Sequence, residues 1–455
     1  MLRNIGGIKI SASLEELLRD AKVELVIARG EKDPKVVAEL IGHLGNDIRS
    51  IRFNASLVLG ELGEKASASV SNLIDCLEDD DWSICREATK SLGKIGNSAV
   101  DAIPRLAELL TDDEASIRKE AAISLGKIGV ASDVAVSSLI AALGDDEEEI
   151  RTVVVNTLGK LGTAAHTAIP SLIECFKDPS WTVRTAAAIA IDGIGKGSAE
   201  AIPTLVNSLE DKDWRVRYRS INTLIQIGEP AIPILLEVVN HSNPVVRQGV
   251  VEALGAMKIT DSEMIETVAS LLKDKVEKVR GKAVDALRTI GKDAIPILID
   301  SYTSANKKMK IQILSAIGSI GQNAETALPH VIEILKVGDT EVRAQAARSL
   351  GKFGETEESV IFALRDALSD SKTSVRREAA LSLGKLGPGA SDAIPALLGV
   401  LTDEQPDVRW RAIEAMGKMG VESTELVSGL ESRLHDEYDY VAEAASEALD
   451  LISGE

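Results

Sequence analysis

The chain has 455 residues, 51 basic and 71 acidic side chains and a formal net charge of −20, and only 3% of its residues are aromatic. Such an acidic chain is poorly suited to nonspecific binding of DNA or RNA, because neutralisation of phosphates by Lys and Arg supplies most of that affinity. Apolar residues at 45% and charged residues at 27% exclude a disordered chain. The scarcity of large aromatic anchors favours an array of small helices over one large globular core.

The first stretch in chain order, MLRNIGGIKISASLEELLRD, lacks the roughly 7–15-residue apolar core of a signal peptide. No later stretch approaches the ~18 apolar residues of a membrane span. The three cysteines (Cys76, Cys85 and Cys175) have neither a metal-ligand spacing nor a plausible disulfide framework. Because thiols that stay reduced are typical of the cytoplasm, we predict a cytoplasmic protein without a signal peptide or a membrane span.

The first predicted element is a capping helix within residues 13–28, where Ser13 and Glu16 have the spacing of a capping box. After it, the sequence repeats. The hexapeptide SLGKIG at 91–96 returns at 124–129, and close variants occupy 157–162, 349–354, 382–387 and 415–420. The first glycine of the motif or its equivalent recurs at thirteen positions, in steps of 33 residues with two exceptions of 30. Repetition with this period predicts a stacked-repeat architecture.

Each repeat is predicted to contain two helices. The first begins at Ala-Ile-Pro, as at 102–104, since proline fits the first turn, where its missing N–H costs nothing. The second then runs over 117–128 with apolar residues at helical spacing, and both glycines of the motif are predicted where this helix ends. Gly129 occupies a position that favours a left-handed residue. Neither helix can bury its apolar stripe alone, so the prediction is an all-α fold, an α-solenoid of about 13 stacked two-helix repeats.

This pattern gives one solenoid over 1–455. Its predicted parts are an N-terminal capping helix in 1–33, a repeat array over 34–435 and a C-terminal capping helix in 436–455. The last helix, 441–452, carries acidic residues, which suits an end that faces solvent.

A second pattern places Asp in the turn of each repeat and Val-Arg or Ile-Arg near the start of its second helix. The Asp positions are 79, 112, 145, 178, 211, 274, 370, 403 and 436. The Arg positions are 52, 118, 151, 184, 217, 247, 280, 343, 376 and 409, with Lys310 in the same place, whereas Cys85 and Ala442 depart from the pattern. Over roughly 34–455 the chain resembles HEAT-repeat proteins of the short-repeat subtype first associated with phycobilisome bilin lyases. The resemblance implies an Asp–Arg ladder between repeats and a concave surface lined by the second helices.

The sequence does not favour a nucleotide, metal or catalytic site. A phosphate loop needs Ser or Thr after Gly-Lys, but Ile95 follows here and the motif ends a helix. The five histidines are scattered without metal-ligand spacing, and the acidic turns lack the EF-hand pattern and are better explained as helix caps. With no apparent catalytic constellation, we predict no enzyme activity, no cofactor and no metal.

The candidate partner contacts lie on the second helices. Phe53, Tyr218 and Trp410 occupy one variable position, four residues before a second variable position on the same helix face. Large residues at such positions are typical binding anchors, and partial burial between repeats is the alternative. Trp82, Trp181 and Trp214, at the start of their helices, are predicted to pack between repeats. The predicted contacts are Phe53, Tyr218, Arg219, Asn222, Trp410, Arg411 and Glu414.

The lysines of the repeated motif extend this face in two runs. One consists of Lys94, Lys127 and Lys160, and the other of Lys352, Lys385 and Lys418. They either complement the helix C-termini or form two basic stripes for an acidic partner.

The predicted function is a non-enzymatic scaffold, monomeric and away from membranes, that binds another protein on its concave face. A partner with an acidic segment would suit the lysines. The resemblance implies an alternative, a bilin lyase-like cofactor-attachment subunit or assembly factor. Nucleic-acid binding through the lysine stripes is a third hypothesis, which the charge of −20 opposes.

Overall fold

A computed structural model describes residues 12–354 and 357–453, and over these ranges the chain is helical and contains no strand. The prediction that a signal peptide is absent concerns in part residues 1–11, which lie outside the described residues. The same holds for the first part of the cap predicted in 1–33 and for the last two residues of the cap predicted in 436–455.

The chain divides between Ile234 and Leu235 into two compact units. The helices before this boundary are α1 (Leu14–Arg19), α2 (Val23–Gly30), α3 (Lys35–His43), α4 (Arg49–Leu62), α5 (Val70–Asp75), α6 (Trp82–Ile95), α7 (Ile103–Glu108), α8 (Ala115–Ile128), α9 (Asp133–Ala141), α10 (Glu148–Lys160), α11 (Ile169–Glu174), α12 (Trp181–Ile194), α13 (Ile202–Asn207) and α14 (Trp214–Ile227). They form unit 1. Helix α15 (Ile232–Glu237) contains the boundary.

Unit 2 continues the same alternation of short and long helices. Its helices are α16 (Pro244–Ala256), α17 (Ser262–Ser270), α18 (Glu277–Ile290), α19 (Ile295–Ser304), α20 (Lys307–Ile320), α21 (Leu328–Val337), α22 (Thr340–Leu350), α23 (Glu358–Ala367), α24 (Thr373–Leu386), α25 (Ile394–Gly399), α26 (Pro406–Met419), α27 (Thr424–Glu431) and α28 (Asp439–Ser453). From α3 to α28 the helices make thirteen pairs, odd-numbered first helices and even-numbered second helices. The prediction of an all-α array of about 13 two-helix repeats is confirmed.

The repeat that contains α7 and α8 shows how the local sequence sets these boundaries. Pro104 lies in the first turn of α7, as predicted, and α7 ends at Glu108, where a 3₁₀ turn over Leu109–Thr111 replaces the last predicted helical turn. Helix α8 begins two residues before the predicted start and ends at Ile128. Gly129 follows with φ 72° and ψ 12°, the predicted left-handed conformation.

The N-terminal cap begins with the predicted capping box. The hydroxyl of Ser13 accepts the backbone N–H of Glu16, and the Glu16 carboxylate accepts the N–H of Ser13. The single helix predicted over 13–28 is wrong, because the chain turns at Ala21, where φ is +53°, and forms α1 and α2 instead. The carbonyl of Leu18 near this turn accepts a hydrogen bond from the side chain of Asn54 on α4 at 2.7 Å.

Close contact between neighbouring second helices explains the first glycine of the repeated motif. Gly93 lies inside α6, not at its end as predicted, and faces Ser124 of α8. A Cβ atom on Gly93 would lie 2.8 Å from the Cβ and 2.9 Å from the Cα of Ser124, well inside van der Waals contact. The Ser124 hydroxyl donates to the carbonyl of Thr89 on α6 at 2.8 Å. Only the second glycine, Gly96, ends the helix, with φ +72°.

The Arg–Asp ladder that the resemblance implies is present at eight joints of the described residues. In each, the arginine Nε and Nη2 donate to both carboxylate oxygens of an aspartate 27 residues later, at 2.6–3.1 Å. The pairs are Arg52–Asp79, Arg118–Asp145, Arg151–Asp178, Arg184–Asp211, Arg247–Asp274, Arg343–Asp370, Arg376–Asp403 and Arg409–Asp436. Such bidentate pairs fix both distance and orientation between adjacent repeats.

Each ladder aspartate also organises its own turn. Asp178 accepts the backbone N–H of Ser180 at 2.8 Å in addition to the Arg151 guanidinium. Burial raises the pKa of the Asp178 carboxyl, but these hydrogen bonds outweigh it and leave the pKa below its ordinary value.

The ladder is interrupted at five of its thirteen arginine positions. As the sequence predicts, Cys85 and Ala442 supply no guanidinium. At Arg217, Arg280 and Lys310 the basic residue is present, but the residues 27 positions later are Pro244, Lys307 and Val337 instead of aspartate. Arg280 keeps only its bonds to backbone carbonyls, including that of Asp274 at 2.7 Å.

Candidate interaction surface on the second helices

In unit 1, the predicted partner contact Tyr218 lies on the second helix α14, and its large side chain is exposed to solvent. Its side chain is 49% exposed, and the guanidinium carbon of Arg219 lies 5.7 Å from the ring centroid. Asn222, one turn further on α14, is half-buried, and Ile189 on the preceding second helix is exposed. An exposed aromatic ring with an arginine beside it is the composition expected of a binding anchor.

Phe53, the third aromatic at this position, is half-buried on α4. It lies in unit 1, five second helices before Tyr218, whereas Trp410 lies in unit 2. Whether Phe53 is a partner contact stays a prediction.

In unit 2, Trp410 belongs to a connected aromatic and charged network. The Arg411 guanidinium stacks 3.7 Å from its ring centroid, and Tyr440 of α28 meets the ring edge-on at 5.7 Å and 84°. The Tyr440 hydroxyl donates to Asp407 at 3.1 Å. Trp410 itself is half-buried. The tyrosine, 30 residues away along the chain, was not among the predicted site residues because nothing local marks it.

Two buried or half-buried carboxylates hold the cations of this region in place. Glu378 is 4% exposed, accepts two hydrogen bonds from Arg348 at 2.8 and 3.0 Å and one from Arg377 at 3.3 Å. Burial raises the pKa of Glu378, but the two arginines outweigh it and the pKa is lowered. Glu414 accepts from Arg411 and from Lys418, both at 2.6 Å.

The second lysine run lies beside these carboxylates. Burial lowers the pKa of the Lys385 ammonium, and the positive charges of Lys352, Arg348 and Lys418 lower it further, although Glu378 raises it. Glu378 of α24 joins Arg348 of α22 to Arg377, and Arg377 pairs with Asp407 of α26. The cations of these three second helices, with Lys352 in the turn that follows α22, therefore share one surface. We call it the C-terminal basic cluster, and its members are Arg348, Lys352, Arg377, Lys385, Arg411 and Lys418.

The first lysine run, like the second, has one member paired with a carboxylate. Lys94 pairs with Glu61 of the preceding second helix at 2.6 Å. Two other lysines on the helices that carry this run are also paired, Lys90 with Glu87 on α6 and Lys119 of α8 with Glu149 of α10. Lys127 and Lys160 are exposed.

The three tryptophans at helix starts remain accessible, although packing between repeats was predicted. Trp214 is 61% exposed, and Trp82 and Trp181 are also exposed. Trp181 does contact the next repeat, since the Arg215 guanidinium lies 3.3 Å from its ring centroid. Asp213 holds that guanidinium through two hydrogen bonds at 2.6 and 2.9 Å. For Trp181 alone, the predicted packing between repeats takes the form of a surface stack with an arginine of the next repeat.

The described residues offer no arrangement typical of a metal or thiol site. Within them, no three His, Cys, Asp or Glu side chains gather closely enough to hold a metal ion. All three cysteines are buried, and burial raises the pKa of Cys76, Cys85 and Cys175 to about 11. In the same part of the chain, no helix combines the length and apolar character needed to cross a bilayer.

Comparison with known proteins gives one family. The model described as HEAT repeats matches overlapping segments from residue 37 to residue 450, namely 37–126, 70–148, 103–192, 169–255, 232–309, 295–371 and 361–450. Among curated proteins, none matches the sequence.

Solved structures with a similar fold include Kap121p, at 16% identity and a TM-score of 0.55, covering 96% of this chain and 51% of that one. The karyopherin Kap121p bound to the extreme C-terminus of the protein phosphatase Cdc14p matches at 15% identity and 0.56, covering 98% and 53%. Kap121p bound to Ste12p matches at 14% and 0.62, covering 97% and 58%. The chain thus spans about half the length of these proteins, and at such identities the similarity concerns the fold alone.

Proposed function

Since the chain belongs to the family of HEAT-repeat proteins, we propose that it is a non-enzymatic scaffold that binds another protein on the face formed by its second helices. One observation carries the proposal. Each unit exposes or half-exposes a large aromatic ring backed by the arginine that follows it, Tyr218 with Arg219 and Trp410 with Arg411. Aromatic and arginine side chains are the residues that most often dominate binding energy at protein interfaces.

Two further observations support it. Two of the similar solved structures contain a bound protein or protein segment, which shows that helical arrays of this kind can serve as binding surfaces. The second helices also carry their exposed residues on a rigid base, because ladder pairs and close glycine contacts fix neighbouring repeats. A preformed surface loses little conformational entropy on binding.

Crosslinking mass spectrometry in native cells tests the proposal. We expect crosslinks from a partner to lysines of the second helices, and we expect Tyr218→Ala combined with Trp410→Ala to weaken binding of that partner at least about 30-fold, the effect of a hot spot. The matched control is Phe362→Ala. Phe362 is an equally exposed aromatic with Arg365 over its ring at 4.6 Å, but it lies on a first helix.

Three outcomes would contradict parts of this proposal. Recovery of no partner under native crosslinking opposes the scaffold function. Equal losses from the double variant and from Phe362→Ala oppose the placement on the second helices. A bound tetrapyrrole in an absorbance titration would favour the alternative of a bilin lyase-like subunit. Cytoplasmic location and a monomeric state stay predictions, to be measured by cell fractionation and light scattering.

A further inference from the structure

The C-terminal basic cluster is an island of positive charge on an acidic chain. Its six cations form ion pairs with only three carboxylates, Glu378, Asp407 and Glu414, so the cluster has a formal excess of three positive charges. The chain as a whole carries −20. Keeping like charges this close costs free energy, so the arrangement is best explained by an anion that binds there.

The carboxylates of the cluster are already engaged, and they orient the arginines. Glu378 is held by Arg348 and Arg377, and Glu414 is shared by Arg411 and Lys418. Two lysines remain available, because Lys352 and Lys385 have no carboxylate partner among the described residues. Lys385 is exposed and lies near the positive charges of Lys352, Arg348 and Lys418, so it would gain most from an incoming negative charge.

The dimensions suit one extended chain. Neighbouring second helices lie about 8–10 Å apart, and three residues of extended peptide span about 9–10 Å. Along α26, Lys418 and Trp410 are eight residues apart, which corresponds to about 12 Å at 1.5 Å per residue. This strip between the lysines and the aromatic network is wide enough for one peptide with side chains on both sides.

Trp410 supplies an apolar edge to this strip. Its ring, flanked by Arg411 and Tyr440, is half-buried and therefore offers a fixed face to an aromatic or aliphatic side chain. A purely ionic ligand would not use it.

Resting on the proposed function, we propose that the segment bound by unit 2 is an extended acidic peptide that lies across α22, α24 and α26. Its carboxylates contact Lys352, Lys385 and Lys418, and an apolar side chain contacts Trp410. A nucleic acid is disfavoured, since three excess charges neutralise few phosphates and the rest of the chain repels a long polyanion.

The test is fluorescence anisotropy with a labelled peptide of alternating glutamate and aspartate around one phenylalanine. We expect Lys385→Glu to weaken binding about tenfold and Lys385→Gln about threefold, because each change removes or reverses a partly desolvated ionic contact. Lys127→Glu is the matched control, as it reverses one exposed lysine of the first run and changes the net charge equally, and it should alter affinity less than about twofold. Circular dichroism confirms that each variant is folded.

Two further measurements distinguish the apolar contact from the ionic contacts and a peptide ligand from a nucleic acid. Trp410→Ala should weaken binding of this peptide about tenfold and leave a version with glycine for phenylalanine unaffected. An oligonucleotide of the same charge should bind more weakly than the peptide. Equal effects of Lys385→Glu and Lys127→Glu, absence of peptide binding, or tighter oligonucleotide binding would overturn the inference. Native crosslinks that persist in Lys385→Glu on the Tyr218 face would preserve the scaffold function while this inference fails.

Discussion

Replacing Arg184 with alanine removes one complete rung of the ladder. The Arg184 side chain is 6% exposed and that of Asp211 is 11% exposed. The guanidinium makes two bonds to the carboxylate at 2.6 and 2.9 Å and two more to the carbonyls of Asp178 and Pro179. Breaking a buried pair from one side costs about 3–5 kcal/mol. Asp211 keeps the N–H of Asp213 at 2.8 Å, so we expect a loss near 3 kcal/mol.

Urea unfolding followed by tryptophan fluorescence measures this loss locally. In a Trp410→Phe background, every remaining tryptophan lies in unit 1, and Trp181 is three residues from the altered position. With a slope of about 3 kcal/mol/M, the midpoint should fall by about 1 M. The control is Lys177→Ala, which removes an ion pair to Glu174 whose lysine is 76% exposed and which should change stability by less than about 1 kcal/mol. Equal losses in both variants would refute the assignment of a stabilising role to the ladder.

Three further predictions concern packing, pH and thiol access. Gly93→Ala should lower the free energy of unfolding by about 1–3 kcal/mol, because the added methyl group overpacks the contact with Ser124. Gly281 also lies inside a second helix but has no atom within 4 Å of an added Cβ, so Gly281→Ala should raise the free energy of unfolding by up to about 1 kcal/mol. Changes of the same sign in both variants would contradict this. Six ladder aspartates have pKa values in the folded protein that are lower than the ordinary value of about 3.9. Their ionised carboxylates therefore stabilise the folded protein above about pH 3.9, and this stabilisation is lost as pH falls through the folded-state pKa values. Asp178→Asn should therefore lose less stability than the wild type between pH 7 and pH 3, and parallel losses would argue against the mechanism. At neutral pH an aromatic disulfide reagent should label the cysteines only as fast as unit 1 opens, and instant labelling would show accessible thiols at Cys76, Cys85 and Cys175.

The sequence predicts those features whose causes are local or periodic. The capping box at Ser13 and the left-handed Gly129 depend on residues within a few positions, and the repeat count follows from a fixed period. The break at Ala21 was missed because Ala has no intrinsic preference for positive φ, so only packing around Leu18 reveals it.

Contacts between repeats account for most of what was missed in the candidate site. The reason for Gly93 lies in Ser124, 31 residues later, and a single helix pattern cannot show that approach. Likewise, Glu378 orients Arg348 from 30 residues away. The sequence could place Trp410 on a helix face, but it could not show Tyr440 against its ring.

The interruption of the ladder on both sides of α20 has a consequence for how this array can change length. Removing a repeat at the joint between α10 and α12 would leave Arg151 and Asp178, two side chains largely shielded from water, without their ion-pair partners. At the joints of α20, Arg280 and Lys310 reach no aspartate across the joint, so no interior ion would lose its partner. Within unit 2, these are the joints where a repeat can be deleted or duplicated at the smallest electrostatic cost.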